Sequence, residues 1–283
     1  MAHLSRLACR MVDLFRTPGL CRHAPLLCCL LAVAGTVHGQ TACASVELRV
    51  RDGRPMVDNV FVNGHGPYRF IVDTGTNVNL IDSALARAID MKAAFRVELI
   101  SAVGASALPG SDTNEISLGS VHADKQQFLF TDLREMRQNF PEVKGVLGQL
   151  FLGRFDYRID LRGKRLQFGT QNPTGKRTTF TVRSGRTSVT TSLGDLVLDS
   201  GTDRLVLFGV EPGRDSGDYY KSVTGSRFVG TVSSNLAIEG RSLWHGDAVA
   251  LPNRAEPGVA GLMPVSLFRA VYVSNSEGFV VFE

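Results

Sequence analysis

The chain carries two copies of one short acidic motif. Asp73-Thr74-Gly75-Thr76 is followed 126 residues later by Asp199-Ser200-Gly201-Thr202. Each copy ends an apolar run, Phe70-Ile71-Val72 in the first and Leu196-Val197-Leu198 in the second. An aspartate in such a position lies where a buried strand breaks into a turn. Because the same arrangement occurs twice, the sequence predicts a duplicated half-domain.

The segments around the two motifs also follow one order of strands and turns. Alternating strands are predicted at residues 46–51, 56–62 and 68–73, separated by Asp52-Gly53 and Asn63-Gly64 turns. A shorter version follows at 179–182, 188–191 and 196–199. The pattern predicts an all-β protein of two related lobes with pseudo-twofold symmetry, in which Asp73 and Asp199 face each other.

The composition of the chain and one polar segment with proline and glycine predict the domain boundaries. With 283 residues, 43% of them hydrophobic, the chain is long enough to build two lobes with cores. Residues 171–177 have the polar, proline- and glycine-containing composition of a linker. We therefore predict an N-terminal lobe at 45–170, a linker at 171–177 and a C-terminal lobe at 178–283.

Residues 1–44 differ from the rest of the chain and have the pattern of a secretory signal peptide. Basic residues precede an apolar stretch at 24–35, and small residues follow it, which predicts cleavage near 39–44. The apolar stretch is short for a bilayer span, so a permanent anchor is the weaker interpretation. All five cysteines lie in this segment, and lipidation of Cys43 is a further, disfavoured alternative. We expect an exported protein, periplasmic or secreted, without an internal disulfide.

Several classes of function find no support in the sequence. Without residues 1–44 the net charge falls from +4 to near +1, and no basic block suggests a nucleic-acid partner. His65, His122 and His245 show no ligand-like pairing, so no metal is expected. The spacing of Asp195, Asp199 and Asp203 suggests a calcium loop only weakly, because apolar strand residues lie between them. No nucleotide motif is found, and no cofactor is expected.

Two facing carboxylates point to acid-base chemistry. Carboxyl groups held about 3 Å apart cannot both ionise, so they share one proton. One group then acts as a base on water while the other donates a proton to a carbonyl oxygen. This chemistry hydrolyses a peptide bond without a covalent intermediate.

The motif segments resemble a known family of enzymes. Residues 71–76 and 198–202 are similar to the two active-site loops of pepsin-type and tandem retropepsin-like aspartic peptidases, and Val146-Leu147-Gly148 resembles the segment that closes the ψ-shaped loop of that family. The resemblance spans nearly all of residues 45–283. It implies a bilobal acid-protease fold, a cleft for an extended peptide or protein substrate, and an aspartic endopeptidase active as a monomer. It assigns the catalytic dyad to Asp73 and Asp199, and support of the loops to Thr74, Gly75, Thr76, Ser200, Gly201 and Thr202.

The chain departs from the family pattern in three places. Pro264 stands where the first half has Gly148, which suggests a looser second ψ-loop, and the second lobe is the shorter one. The substrate-covering hairpin expected at 100–105, with Val103 and Gly104 as flap residues, lacks a tyrosine. Its counterpart in the second lobe is expected at 222–226.

These departures leave two alternatives open. One is a non-catalytic peptide- or envelope-binding module that keeps the cleft, and the other is a protein with one competent lobe that pairs with a second chain. For the enzyme, we expect hydroxyl groups of Thr76 and Thr202 to bond the ionised carboxylates and lower their pKa values, which predicts an acidic optimum.

Overall fold

The structure, a computed structural model, describes residues 44–102, 104–222, 225–252 and 256–283. The predicted signal peptide and its cleavage region, apart from Ala44, lie outside the described residues. Among the described residues, no helix has the length and apolar character needed to cross a bilayer.

Strands make up most of the described part of the first half of the chain. Its elements are β1 (Ala44–Glu47), β2 (Arg49–Arg51), β3 (Arg54–Val62), β4 (His65–Val72), β5 (Asn79–Asp82), α1 (Ser83–Ala88), β6 (Phe95–Ile100), β7 (Ala105–Leu118), β8 (Val121–Thr131), α2 (Arg134–Asn139), β9 (Val143–Leu147), α3 (Gln149–Leu152), β10 (Tyr157–Asp160) and β11 (Arg165–Phe168).

The second half repeats the strands, and a single 3-10 turn at Val265–Leu267 stands in the place of α3. Its strands are β12 (Arg177–Thr179), β13 (Thr181–Arg183), β14 (Arg186–Thr191), β15 (Gly194–Asp199), β16 (Val206–Phe208), β17 (Arg214–Ser222), β18 (Gly225–Ile238), β19 (Arg241–Leu251), β20 (Gly261–Pro264), β21 (Ala270–Ser274) and β22 (Phe279–Phe282).

Each half forms its own eight-stranded sheet, and the two sheets have the same strand order. The first sheet runs β2-β3-β4-β9-β5-β8-β7-β6, and the second runs β13-β14-β15-β20-β16-β19-β18-β17. Every strand of one sheet therefore has an equivalent in the other. The predicted all-β, two-lobed fold with repeated halves is confirmed.

A third sheet joins the two halves. It runs β1-β11-β10-β21-β22-β12, with three strands from each half. The halves meet where β10 pairs with β21, from Tyr157 opposite Val273 to Asp160 opposite Ala270. Strand β12 begins at Arg177, the last residue of the predicted linker. The lobe boundaries remain a prediction.

Turn chemistry explains why the strands break where they do. Asp52, Asn63 and Ser184 have φ values of 50°, 51° and 44°, and the glycine after each is also at positive φ. Two successive residues at positive φ form the type I′ turn that matches the twist of a hairpin. The apolar residues of the strands alternate toward a buried core, which includes Phe70 and Leu147 in the first half and Leu198 and Met263 in the second.

Candidate active site

The two aspartates lie at equivalent strand ends. Asp73 directly follows β4, which runs parallel to β9 with Val72 opposite Leu147. The amide of Asp73 donates to the carbonyl of Leu147 at 3.0 Å. Asp199 is the last residue of β15, which runs parallel to β20 with Asp199 opposite Pro264. Each aspartate is thus carried by the middle of a buried sheet.

A reciprocal set of hydrogen bonds ties the two loops together. The Thr74 hydroxyl donates to the Leu198 carbonyl at 2.8 Å and accepts from the Ser200 amide at 3.0 Å. The Ser200 hydroxyl donates to the Val72 carbonyl at 2.7 Å and accepts from the Thr74 amide at 3.0 Å. Both side chains are fully buried. These four bonds join segments that are distant in the chain, and they therefore fix the distance between the two aspartates.

The glycines after the hydroxyl residues let the carboxyl groups approach. A Cβ on Gly75 would lie 2.5 Å from each carboxylate oxygen of Asp199, and a Cβ on Gly201 would lie 2.5 Å from Cγ of Asp73. Real Cβ atoms do not make such contacts, so a larger residue at either position would displace the facing carboxyl group. The two carboxyl groups share a hydrogen bond. Each also accepts from the glycine amide of its own loop, Asp73 at 2.9 Å and Asp199 at 2.7 Å.

Burial and mutual repulsion separate the proton affinities of the pair. Burial raises the pKa of Asp73, and the amide of Gly75 and the hydrogen bond with Asp199 work against that rise. The pKa of Asp199 is raised well above its usual value, first by burial and then by the negative charge of Asp73. The pair therefore holds a proton on Asp199 in the pH range where Asp73 is ionised.

The expected role of the Thr76 and Thr202 hydroxyls differs from what the structure describes. Thr76 accepts from the amide of Val78 at 3.5 Å, and Thr202 bonds the backbone of Arg204 and the hydroxyl of Tyr220. Both threonines thus stabilise the loops, and the glycine amides are the donors to the carboxylates. The expectation of lowered pKa values was wrong, because burial outweighs these donors.

Pro264 does not disturb the second loop, because a second substitution matches it. In the first lobe the amide of Gly148 donates to Oδ1 of Asn79 at 3.0 Å. By the strand register, the equivalents of Asn79 and Gly148 are Leu205 and Pro264. Proline has no amide hydrogen, and Leu205 is a buried apolar side chain, 2% exposed. A polar pair has been replaced by an apolar pair, and no donor is left unsatisfied.

Two arginines belong to the site that the sequence analysis did not single out. Nε of Arg54 donates to the carbonyl of Gly201 at 2.7 Å, and Nη1 of Arg186 donates to the carbonyl of Gly75 at 3.2 Å. Each arginine thus reaches from its own lobe to the active-site loop of the other. A signal was present in the sequence: each follows the glycine of an equivalent turn, in Asp52-Gly53-Arg54 and Ser184-Gly185-Arg186.

A cleft of about 510 Å³ lies over the two aspartates. Its first-lobe wall is mainly apolar and includes Ile71, Leu99 and Phe140, while Phe208 and Leu262 contribute from the second lobe. Carboxylates of Glu98 and Glu135 also line it.

The β6-β7 hairpin forms one edge of this cleft. Ile100, Ser101 and Ala102 line the cleft, and Ala102 packs against the second-lobe cluster that contains Phe208 and Tyr220. The carbonyl of Gly104, a residue predicted to be in the flap, accepts from the Ser101 amide at 2.8 Å and closes the hairpin turn. The other predicted flap residue, Val103, lies outside the described residues.

The equivalent hairpin of the second lobe supplies a tyrosine. Tyr220 lies on β17, lines the cleft and is 8% exposed. Burial and the negative charge of Asp199 raise the pKa of its hydroxyl, so the phenol stays protonated. The tyrosine that the first hairpin lacks therefore has a counterpart in the second lobe, two residues before the predicted tip at 222–226.

Within the described ranges, no group of three or more histidine, cysteine, aspartate or glutamate residues is arranged to hold a metal ion. All buried side-chain nitrogen and oxygen atoms in these ranges have a hydrogen-bond partner.

Comparison with known proteins found one family and a number of solved structures that are similar to parts of the chain. Residues 59–152 match the aspartyl protease family. A solved structure, a retropepsin-like aspartic protease from Rickettsia conorii, is 20% identical and aligns over 44% of this chain and 90% of its own, with a TM-score of 0.33. No curated protein sequence matches the chain. The family match contains Asp73 and the segment that positions it, from the second half of β3 to the end of α3, and the second lobe repeats the strands of that segment around Asp199. The greater part of the first lobe thus matches the aspartyl protease family.

Proposed function

We propose that this chain is an exported aspartic endopeptidase that cleaves peptide bonds with a dyad of Asp73 and Asp199, both supplied by the one chain. The observation that carries the proposal is that each carboxyl group lies against the glycine of the other loop, an arrangement held in place by the reciprocal Thr74 and Ser200 bonds. One chain supplies both aspartates, so a monomer is sufficient. Export rests on the signal-peptide pattern of residues 1–44.

In the proposed mechanism, Asp73 is the base and Asp199 is the acid. Asp73 takes a proton from water as the water oxygen attacks the carbonyl carbon, and Asp199 gives its proton to the carbonyl oxygen. The resulting gem-diol then collapses. The carbon–nitrogen bond breaks, the leaving nitrogen receives the proton from Asp73, and a diol hydroxyl returns a proton to Asp199. The assignment follows from the stronger rise in the pKa of Asp199, which keeps that carboxyl protonated.

The raised pKa values also change the expected pH range. Because burial raises the pKa of both carboxyl groups, the singly ionised pair persists to a higher pH than an exposed pair would allow. We propose that activity extends toward neutral pH. The apolar first-lobe wall, which includes Ile71 and Leu99, favours substrates with apolar side chains beside the cleaved bond.

The test is cleavage of a mixed peptide library from acid to neutral pH by the wild-type chain and by Asp73→Asn and Asp199→Asn variants. General acid-base catalysis contributes about 10²–10⁴-fold, so kcat/KM should fall by at least that factor in either variant while the circular dichroism spectrum is retained. Full activity in either variant contradicts the dyad. A sizing measurement coupled to the assay tests the monomer, because activity confined to a dimer would favour paired chains.

A further inference from the structure

Among the described residues that line the cleft, the cationic side chains are Arg54 and Arg186. They occupy equivalent positions, each at the first residue of the second strand of its eight-stranded sheet, β3 or β14. Each crosses to the opposite lobe and bonds a glycine carbonyl, Arg54 at Gly201 and Arg186 at Gly75. The two guanidinium groups therefore approach the aspartates from both sides of the site.

The glycines whose carbonyls accept hydrogen bonds from the arginines are the same residues whose amides donate to the carboxyl groups. The amide of Gly75 donates to Asp73, and the amide of Gly201 donates to Asp199. A positive charge at each glycine carbonyl thus lies one residue away from a donor to the dyad. This arrangement fixes the orientation of both amides and places the charge where its field acts on buried carboxyl groups, for which solvent screening is weak.

Each arginine has its own carboxylate partner on the second lobe. Nη2 of Arg54 bonds Oδ1 of Asp203 at 2.9 Å, and Arg186 is paired with Glu256. The Arg186–Glu256 pair is the more buried, with side-chain exposures of 17% and 22% against 21% and 40% for Arg54 and Asp203. The dyad is thus flanked by two fixed ion pairs, each with its cation bonded to an active-site loop.

We propose that the Arg54–Asp203 and Arg186–Glu256 pairs are positioning residues that set the pH range in which Asp73 and Asp199 carry a single negative charge. In each pair the arginine favours the anionic dyad and the carboxylate opposes it. The proposal rests on the dyad proposed above and extends it to residues outside the Asp-Thr/Ser-Gly loops.

The electrostatics of the site agree with the geometry. Among the smaller effects on the pKa of Asp73, both arginines lower it against the dominant effect of burial, and Arg186 does the same for Asp199. The other charged or titratable groups that face the dyad are the phenol of Tyr220 and the carboxylates of Glu98 and Glu135, which line the same cleft. Every one of these is neutral or negative, so no other described cleft residue supplies the opposing positive charge.

The experiment is a carbon-13 NMR titration of the full chain labelled at its aspartate carboxyl carbons. Asp73→Asn and Asp199→Asn variants assign the dyad signals. Arg186→Gln removes the cation, so the dyad should titrate at higher pH, by roughly half a unit or more. Glu256→Gln removes the opposing anion, so the dyad should titrate at lower pH. Arg54→Gln and Asp203→Asn should act in the same two directions, with smaller shifts for the more exposed pair.

The opposite directions of the titration shifts expected for the arginine and carboxylate variants distinguish electrostatic positioning from a purely structural role. Arg186→Gln and Glu256→Gln break the same ion pair, so a structural contact alone would move the titration equally in both or in neither. Either of those results overturns the proposal. Arg186→Lys keeps the charge and should titrate close to wild type. Arg183→Gln, which breaks the Arg183–Asp195 ion pair away from the cleft, is the matched control and should leave the titration unchanged.

The titration does not depend on cleavage, so the two proposals fail separately. If the shifts have the expected signs while Asp73→Asn still cleaves peptides, the dyad mechanism is wrong and the electrostatic control stands. If cleavage depends on both aspartates but the shifts are absent or of equal sign, the arginine pairs do not set the ionisation. In the active protein, the acid and alkaline limits of kcat/KM should move with the NMR titration.

Discussion

At the scale of single residues, the two lobes differ at the residue that lies opposite the aspartate in the neighbouring strand. In the first lobe, the residue opposite the aspartate is Gly148. Its buried amide needs a hydrogen-bond acceptor, which Asn79 supplies. In the second lobe that residue is Pro264, and the position of the acceptor is taken by Leu205. Glycine cannot be replaced at 148, because a Cβ there would collide with the carbonyl of Val78. A single substitution therefore cannot convert the residue pair of one lobe into that of the other.

This pairing predicts the effect of Asn79→Leu. The substitution leaves the buried amide of Gly148 without its acceptor and removes the Asn79 bonds to Gln126 and Gln127. A buried polar group left without a partner costs about 1–3 kcal/mol, so the free energy of unfolding in urea should fall by at least that amount. Asn172→Leu, at an exposed position, should change it by less than about 0.5 kcal/mol. An Asn79→Leu protein as stable as wild type would argue against the role of this bond.

A second residue-scale prediction concerns Asp199 and pH. Its pKa is raised by folding, so the protonated form stabilises the native state fully at low pH, and this contribution is lost as the pH rises toward the folded pKa. In the Asp199→Asn variant the side-chain amide does not titrate and still offers Gly201 an acceptor. This variant should therefore gain stability relative to wild type as the pH increases above about 4, by about 1.4 kcal/mol for each unit of pKa rise.

Urea unfolding at several pH values measures this difference. Asp247→Asn, at an exposed position on β19, serves as the control and should leave the free energy of unfolding nearly unchanged at each pH. A difference between Asp199→Asn and wild type that stays constant from about pH 4 to about pH 8 would contradict the raised pKa.

At the scale of elements, the two hairpins over the cleft are equivalent in topology but differ in chemistry. At its tip the β6-β7 hairpin presents Ile100, Ser101 and Ala102 to the cleft, and Ala102 packs against the second-lobe cluster. The β17-β18 hairpin supplies Tyr220, whose hydroxyl bonds Thr202 beside Asp199. The cleft is thus asymmetric even though its two lobes have the same strand order. One hairpin covers the cleft through apolar contact, and the other is tied to an active-site loop.

The packing of Ala102 predicts a specific defect. Ala102→Asp places a carboxylate against the apolar cluster of Phe208 and Tyr220, where it is poorly solvated. The first hairpin should then pack less well over the cleft, and kcat/KM for a library peptide should fall by about 10-fold, with a larger effect on KM than on kcat. Ala105→Asp makes the same change at an exposed position of this hairpin and should behave as wild type. Equal kinetics for the two variants would count against a contact across the cleft.

At the scale of the whole molecule, the two halves are joined by more than the chain connection. They share the six-stranded sheet through β10 and β21, and Asp156 of the first half accepts bonds from Tyr272, Ser274 and Ser276 of the second. The buried core is continuous across both halves. The Thr74 and Ser200 bonds then align the two active-site loops. Together these contacts make the dyad a property of the assembled pair of lobes.

Cutting the chain between the lobes should therefore leave the molecule intact. A protease recognition sequence inserted after Thr174, an exposed position, permits a single cut in the predicted linker. We expect the nicked protein to elute as one particle in native buffer and to keep its cleavage activity within about 2-fold, because the shared sheet and core hold the halves together. An uncut sample of the same insertion variant is the control. Separation of the halves on sizing would show that the shared sheet does not suffice to hold them.

The sequence by itself determined the local features of this protein. The type I′ turns at Asp52-Gly53, Asn63-Gly64 and Ser184-Gly185 follow from residues that accept positive φ, and the strands around them follow from alternating apolar side chains. The repetition of an aspartate motif in equivalent apolar surroundings was enough to predict two related all-β lobes. These features depend on residues close to one another in the chain, so they can be predicted without knowledge of the tertiary structure.

Only the tertiary structure decided which distant groups meet. The crossing of Arg54 to Gly201 and of Arg186 to Gly75, and the match of Leu205 with Pro264, join residues far apart in the chain or depend on strand register. The direction of the aspartate pKa shifts also required the structure, because burial of the carboxyl groups outweighs the local donors that the sequence suggested. Desolvation is set by everything that packs around a group, and that packing exists only once both lobes have come together.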